Sequence, residues 1–313
     1  MVVPSLFALG LFVIKQPQMA GFSVFGTFAH LVMVNYAPSK GDRSAEAATL
    51  TLLGAVLVTL GTLASVDTWT AVAGATSAGF LSAWPALLKG HVAVVRTALL
   101  LSFMLAVAVP TPFGAVLPQL SGWLLAGVVA QPVLRLFWIP IRPAILTQAA
   151  LTSRNGPAIP SSWLAHAACI GIAMGLAIFA ARVLNLSHAF WVVLGVLPVL
   201  SAGGMSPSRT FWHEQAGTLL GFVVGAALVL AVGSHQEWYW IILPCLIFFS
   251  AYASTALGFV AGQAGFTVFA VVLFCILSPS QRQIGILRVE DIAIGGVLSL
   301  LVASLQRLGE SRV

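Results

Sequence analysis

Of 313 residues, 59% are apolar and only 7% are charged, where a soluble domain carries roughly 25% charged residues. So few charges cannot cover the surface of a water-soluble chain of this length, and a mean hydropathy of +1.03 points the same way. The net charge of +6 comes with no basic stripe or nucleic-acid motif, so nucleic acid is excluded as a partner; positive charge is expected to set membrane topology, with anion attraction as a second role.

The chain opens with MVVPSLFALGLFVIK. It lacks the basic start and small-residue cleavage site of a signal peptide, so it reads as a first, short membrane helix. Its apolar part is shorter than the ~20 residues that span a bilayer; either it leaves the core at a tilt or the natural start lies further upstream. Five more apolar runs follow at 17–36, 45–66, 68–88, 92–110 and 114–138, then six at 162–184, 189–205, 211–233, 238–255, 257–278 and 286–306. The predicted fold is an all-α membrane protein with about 12 transmembrane helices. Residues 1–138 form one six-helix repeat, the Pro-, Ser- and Gly-rich stretch 139–161 a cytoplasmic linker, 162–308 a second repeat and 309–313 a tail.

Internal similarity supports the two repeats. Thr51-Leu52-Leu53-Gly54 recurs as Thr218-Leu219-Leu220-Gly221 after 167 residues. Phe22 pairs with Phe190 at 168, Pro38 with Pro207 at 169, and both Arg96-Thr97 with Phe266-Thr267 and Leu117 with Leu287 at 170. Six spans is an even number, so both units enter the membrane from one side and are parallel rather than inverted repeats. With both ends inside, Lys40, Arg43, Lys89, Arg96, Arg135, Arg142, Arg154, Arg209, Arg307 and Arg312 are cytoplasmic. Only Lys15, Arg182, Arg282 and Arg288 are external, a bias that predicts N-in, C-in.

No phosphate-binding loop or soluble segment could hold an ATPase domain, and no catalytic triad, HExxH or CxxC suggests an enzyme. Cys169, Cys245 and Cys275 lie in apolar spans without paired spacing, so no disulfide, metal or cofactor is assigned. Three features could carry chemistry. Gly217, Gly221 and Gly225 form a four-residue row, read either as close helix packing or as a thin wall beside a permeation path; the earlier counterpart is Leu50, Gly54 and Val58. Arg209, His213 and Glu214 sit where two spans meet on the cytoplasmic side. They either anchor the span and suit its dipole, with Glu214 in a first turn, or Arg209 draws an anion while His213 or Glu214 exchanges a proton. Arg288, Glu290 and Asp291 start the last span on the outer side, either as a helix terminus with a local ion pair or as part of a polar path. The matching stretch around Leu117 has no charge.

Arg96 is a further candidate on the anion path. His30 and His166 read as hydrogen-bonded packing residues more than proton carriers, and Thr97 and Thr267 as back-bonded ones. Pro198 and the SAGGMSPS that follows are expected to break the eighth span and expose backbone near a binding region.

The run AFWVVLGVLPVLSAGGMSPSRTFWHEQAGTLLGFVVGAAL, the span from Thr267 to Leu273 and then LRVEDIAIGGVLSLLVASL together resemble the fusaric-acid-resistance-like proteins, the aromatic acid exporter superfamily of bacterial inner membranes. The matching positions are Arg209, Gly217-Thr218, Gly221, Arg288, Asp291 and Gly295, over roughly 188–306; the first half matches only in TLLG and layout. The resemblance implies efflux of small, often aromatic, carboxylic acids driven by the proton gradient, in some relatives beside a periplasmic adaptor protein. The chain departs from many relatives in lacking large cytoplasmic domains after each unit. The first hypothesis is therefore a proton-coupled exporter with its path between the two repeats; a passive anion channel and a non-transporting accessory subunit compete with it. Substrate identity and pairing of copies into a homo-oligomer stay open.

Overall fold

In a bilayer every backbone polar group must be satisfied within its own segment, so apolar runs fold as helices. The computed structural model describes residues 2–84, 89–137, 163–186, 188–201, 206–233, 235–277 and 284–310, and among them there is no strand. Twelve helices follow in order: α1 (Val2–Ala8), α2 (Pro17–Phe28), α3 (Lys40–Ala64), α4 (Thr68–Ser82), α5 (Gly90–Val107), α6 (Val116–Leu136), α7 (Trp163–Val183), α8 (Phe190–Ser201), α9 (Pro207–Val232), α10 (Gln236–Ala256), α11 (Phe259–Leu277) and α12 (Ile284–Glu310). Wider π-helical turns extend α1 over Leu9–Val13 and α2 over Ala29–Met33. The linker expected over 139–161, the turn 202–205 after α8, and Arg282 and Arg312 lie outside the described residues.

Local chemistry sets the helix starts. Ser39 caps α3 by accepting from the Asp42 N–H, Asp67 caps α4 through the N–H groups of Trp69 and Thr70, and Ser206 caps α9 through the Arg209 N–H. Each satisfies amide groups that the first turn leaves orphaned. Pro207 then stands at the first position of α9, where its missing N–H costs nothing. The helix consequently starts at Pro207, four residues before the apolar run itself. Pro198 lies inside α8, which continues through it to Ser201.

Seven helices among the described residues are long and apolar enough to cross a membrane, in α3, α5, the segment Phe113–Leu136, α7, α9, α10 and α11. Val2–Val13 and Phe190–Leu200 are apolar but shorter. The outward faces of α3 (Leu52, Leu53, Val56) and α9 (Leu219, Leu220, Val223) are exposed and apolar, a ridge that suits lipid and would be a liability in water. This is a multi-pass membrane protein.

Two compact units divide the chain, Val2–Phe179 and Ala180–Val313. Within the first, α3 packs on α5 and α6, and α2 packs on α6. The Trp123 indole fills the space that Gly54 leaves open. Gly171 and Met174 of α7 pack against Gly79 of α4, and the rings of Trp69 and Phe179 lie 5.9 Å apart. Within the second, α9 packs on α11 and α12, α8 on α12, and α10 on α11.

The buried faces of the two units follow one register. Arg43, Ala47, Leu50, Thr51, Gly54 and Val58 are buried on α3, and Thr210, Glu214, Gly217, Thr218, Gly221 and Gly225 on α9, 167 residues later each time. The caps Ser39 and Ser206 keep the same spacing. On α6 and α12 the spacing is 169: Gln119, Gly122, Trp123 and Ala126 are buried, as are Arg288, Asp291, Ile292 and Gly295. Several pairings expected from residue identity are shifted by this register. Phe22 corresponds to Trp191 rather than Phe190, and Leu117 does not correspond to Leu287. Thr97 is exposed while Thr267 is fully buried, so Ala98 is the better counterpart of Thr267. Identity of letters is a weaker guide than which side of the helix is covered.

Candidate functional site

The site grows from α12. Arg288 lies in its second turn and is 1% exposed. Its Nε donates to the Thr267 hydroxyl of α11 at 3.1 Å, and that hydroxyl in turn donates to the Gln263 carbonyl at 2.8 Å. The guanidinium carbon stands 4.2 Å from the ring centre of Trp191 on α8 and 4.8 Å from that of Phe266 on α11, a favourable placement of a cation against two π systems. Both terminal nitrogens, Nη1 and Nη2, have no hydrogen-bond partner. One edge of the guanidinium is thus committed to Thr267 and its fork is free.

Facing this fork are acids. Glu214 of α9 is fully buried with neither carboxyl oxygen bonded, and Thr218 Oγ1, one turn further along α9, is also unpartnered. Glu214 and Arg288 lie within electrostatic reach of one another, as do Asp291 and Arg288. Asp291 is buried one turn after Arg288 on the same helix.

Depth follows from packing. A side chain on Gly221 would meet the Thr267 Cβ at 2.7 Å, so Thr267 and the Arg288 Nε it holds are level with Gly221. Gly221 lies just past the middle of the 26-residue α9, about 20 Å from its start at 1.5 Å per residue. The cluster is at mid-membrane depth, not at either mouth.

This geometry redistributes the two charged groups expected from the sequence. Glu214 is not in a first turn: α9 has no acid there, nor does α12. Because α9 starts at Pro207, Glu214 lies about two turns inside it, and the dipole account fails for it and for Asp291. The local ion pair of Arg288 does not form either, since the side chain reaches across to Thr267 and the rings, leaving its fork unpaired. Arg209 is exposed in the first turn of α9, His213 is half-buried, and Glu290 is exposed. Arg96 is exposed on α5, in the other unit. Gly217, Gly221 and Gly225 all pack on α11, against Val260 and Gln263, Ala264 and Thr267, and Val271 respectively.

Trp191, Phe266 and Thr218 were not anticipated as site residues. The signal was present in Phe190-Trp191 and Phe266-Thr267, but aromatic residues at such positions read as anchors or core. The sequence also gave no warning of a second buried cluster, at the start of α3. There Glu46 is fully buried, accepts from the Ala37 N–H at 2.8 Å and stands 3.9 Å from His91 Nδ1. Arg43 donates to the Pro38 carbonyl at 3.0 Å and the Ala37 carbonyl at 3.4 Å, binding the loop before α3 to the helix.

At the level of Gly54 the first unit is closed by hydrogen bonds. His30 Nδ1–H donates to the Gly26 carbonyl at 2.7 Å and Nε2 is 3.0 Å from the Thr51 hydroxyl, so His30 is a packing residue bonded to a neighbouring helix. Trp123 Nε1 donates to the Thr51 carbonyl at 3.1 Å, and Gln119, the positional counterpart of Arg288, takes a hydrogen bond from Thr62.

Burying an ion without partners costs several kcal/mol, and unpaired buried polar atoms call for water, an ion or a ligand. A free guanidinium fork suits a carboxylate, which it can bind through two parallel hydrogen bonds. Among the described residues no three His, Cys, Asp or Glu side chains gather as metal ligands would.

No curated protein and no solved structure matches the chain. A family model does: residues 176–302, which hold Trp191, Glu214, Thr218, Phe266, Thr267, Arg288 and Asp291, match the family described as fusaric acid resistance protein-like, and this part of a transporter-like membrane protein is therefore a member by sequence as well as by motif order.

Proposed function

We propose that this protein exports small organic anions, aromatic carboxylates foremost, across a bacterial inner membrane, with proton movement coupled to the anion. The observation that carries the reading is the unpaired fork of Arg288, buried at mid-depth against Trp191 and Phe266 and beside the unpaired carboxyl of Glu214. The fork would bind the carboxylate, the rings would face an aromatic body, and Glu214 or Asp291 would hold the proton. Arg209, exposed at the start of α9, would attract anions to the cytoplasmic mouth, with His213 between mouth and cluster. The shared buried register supports two parallel six-helix repeats, and the Lys and Arg bias supports both termini inside. A periplasmic adaptor as partner rests on the family resemblance alone.

Proteoliposomes holding this chain alone test the reading. A pH gradient without nucleotide should drive benzoate flux, and Arg288→Gln should remove it. Conductance that follows voltage and persists with the gradient collapsed would assign a passive channel instead. A cellular resistance phenotype preserved in both Arg209→Ala and Asp291→Asn would assign an accessory role.

A further inference from the structure

We infer, on the anion-site reading above, that the cluster takes up one proton from water for each organic anion it binds, so that anion and proton cross together as a neutral pair. The ground is a charge count in a closed space. Glu214, Arg288 and Asp291 are 0%, 1% and 3% exposed, two acids for one base. The other helices that complete the site, α8 and α11, supply Trp191, Phe266 and Thr267 and carry no charged residue. On α9 and α12 the remaining ionisable neighbours are Arg209 and Glu290, both exposed, and His213, half-buried. None of the three is buried with the trio to balance it.

An uncompensated charge in such a place costs several kcal/mol. The empty site is therefore at its lowest energy when neutral: Arg288 charged, one carboxylate ionised, the other carboxyl protonated. A carboxylate ligand on the Arg288 fork brings a second negative charge. Neutrality returns when a proton from the aqueous phase joins the remaining ionised carboxylate; one O–H bond forms, and the same bond breaks when the anion leaves. Glu214 is suited to this because its oxygens have no protein hydrogen bond to give up, and its new O–H can donate to the ligand. The consequence reaches physiology. A carrier that moves anion and proton in the same direction relieves an internal excess of acid and does not pump against one.

Calorimetric titration of benzoate into the full chain in lipid nanodiscs at pH 7, repeated in buffers of differing ionisation enthalpy, counts the protons. The expected count is about one, with affinity weakening about tenfold per pH unit as pH rises, as linkage requires. Glu214→Gln and Asp291→Asn should each keep a count of one, because the acid left behind starts ionised and takes the proton. The double variant should bind benzoate with a count near zero. Wild-type binding with no proton uptake, or uptake that survives the double variant, overturns the proton inference and leaves the anion site standing. No benzoate binding to the wild type, or binding undiminished in Arg288→Gln, overturns the anion site itself.

Discussion

Helices α3 and α9 both start at a serine cap and cover the same face, and each buries a glutamate. Glu46 accepts a backbone N–H and has His91 beside it, whereas neither oxygen of Glu214 has a partner. The same contrast separates Thr51 from Thr218. Thr51 meets His30 through its hydroxyl and Trp123 through its carbonyl, while the Thr218 hydroxyl, 167 residues later, is unbonded. Gln119 is hydrogen-bonded where Arg288 has an empty fork. Satisfied polar groups in a core fix structure, and unsatisfied ones raise its energy until something binds. One framework thus serves two ends, closed in the first unit and left incomplete in the second.

The sharpest way to break this contrast is to give the second unit the first unit's residue. Arg288→Gln should lower benzoate flux about 100-fold or more, in keeping with the 2–5 kcal/mol lost when one partner of a buried charge pair is truncated. Its elution from size exclusion should match the wild type, because glutamine can still reach Thr267. Gln119→Met in the first unit should leave flux within about twofold and cost about 1 kcal/mol of stability, the worth of one hydrogen bond. Equal losses of flux in both variants would erase the distinction between the units.

The glycine row gives the next largest effect. A side chain on Gly221 would run into the Ala264 carbonyl and the Thr267 Cβ, separating α9 from α11 and disturbing the hydroxyl that holds Arg288. Gly221→Ala should cost about 1–3 kcal/mol, the range for overpacking, and reduce flux with it. Gly225→Ala faces only the Val271 side chain, at 3.3 Å and beyond, and should be nearly neutral. Thermal unfolding in detergent compares the two, and the prediction fails if Gly225→Ala is the more damaging.

Much of this was legible in the sequence, but unevenly. Composition and apolar runs predicted an all-helical membrane protein, and TLLG located the correct spacing for α3 and α9. Arg288 and Asp291 could be placed on one face because they are three residues apart. Glu214 could not be joined to them, because that contact links α9 to α12 across the fold and no local spacing encodes it. Its assignment to a first turn failed for a definable reason: the apolar run begins at Phe211, but the serine cap and Pro207 start the helix a turn earlier. The cluster around Glu46 was hidden because Arg43 reads as one more cytoplasmic charge. Only the folded loop shows its guanidinium bonded to the Ala37 and Pro38 carbonyls.

The two glutamates themselves offer a smaller, cleaner comparison. Glu46→Gln keeps the shape but weakens a charge-assisted bond to the Ala37 N–H, and should cost about 1–3 kcal/mol. Glu214→Gln removes an acid that bonds to nothing, and should leave the unfolding midpoint unchanged or slightly raised. Flux should respond in the opposite order, with Glu214→Gln the more impaired. Destabilisation by both alike would mean that Glu214 has a structural partner.

The smallest expected effect lies in the loop that Glu46 and Arg43 secure. Tyr36 is buried there, and burial first, then the charge of Glu46, pushes its hydroxyl above the usual tyrosine range. The folded chain therefore holds the phenolic proton more tightly than the unfolded chain does. That contribution is fully present below the unfolded value of about 10, and it is lost as pH climbs through the folded value. Stability of the wild type should consequently fall along an alkaline limb starting near pH 10, and Tyr36→Phe, which has no proton to lose, should flatten that limb while differing little at pH 7. Other tyrosines and the lysines contribute to the same limb, so the informative quantity is the difference between the two proteins at each pH. A constant difference from pH 7 to 11 would mean that the Tyr36 hydroxyl is in water, and that Glu46 secures a looser loop than its bond to Ala37 implies.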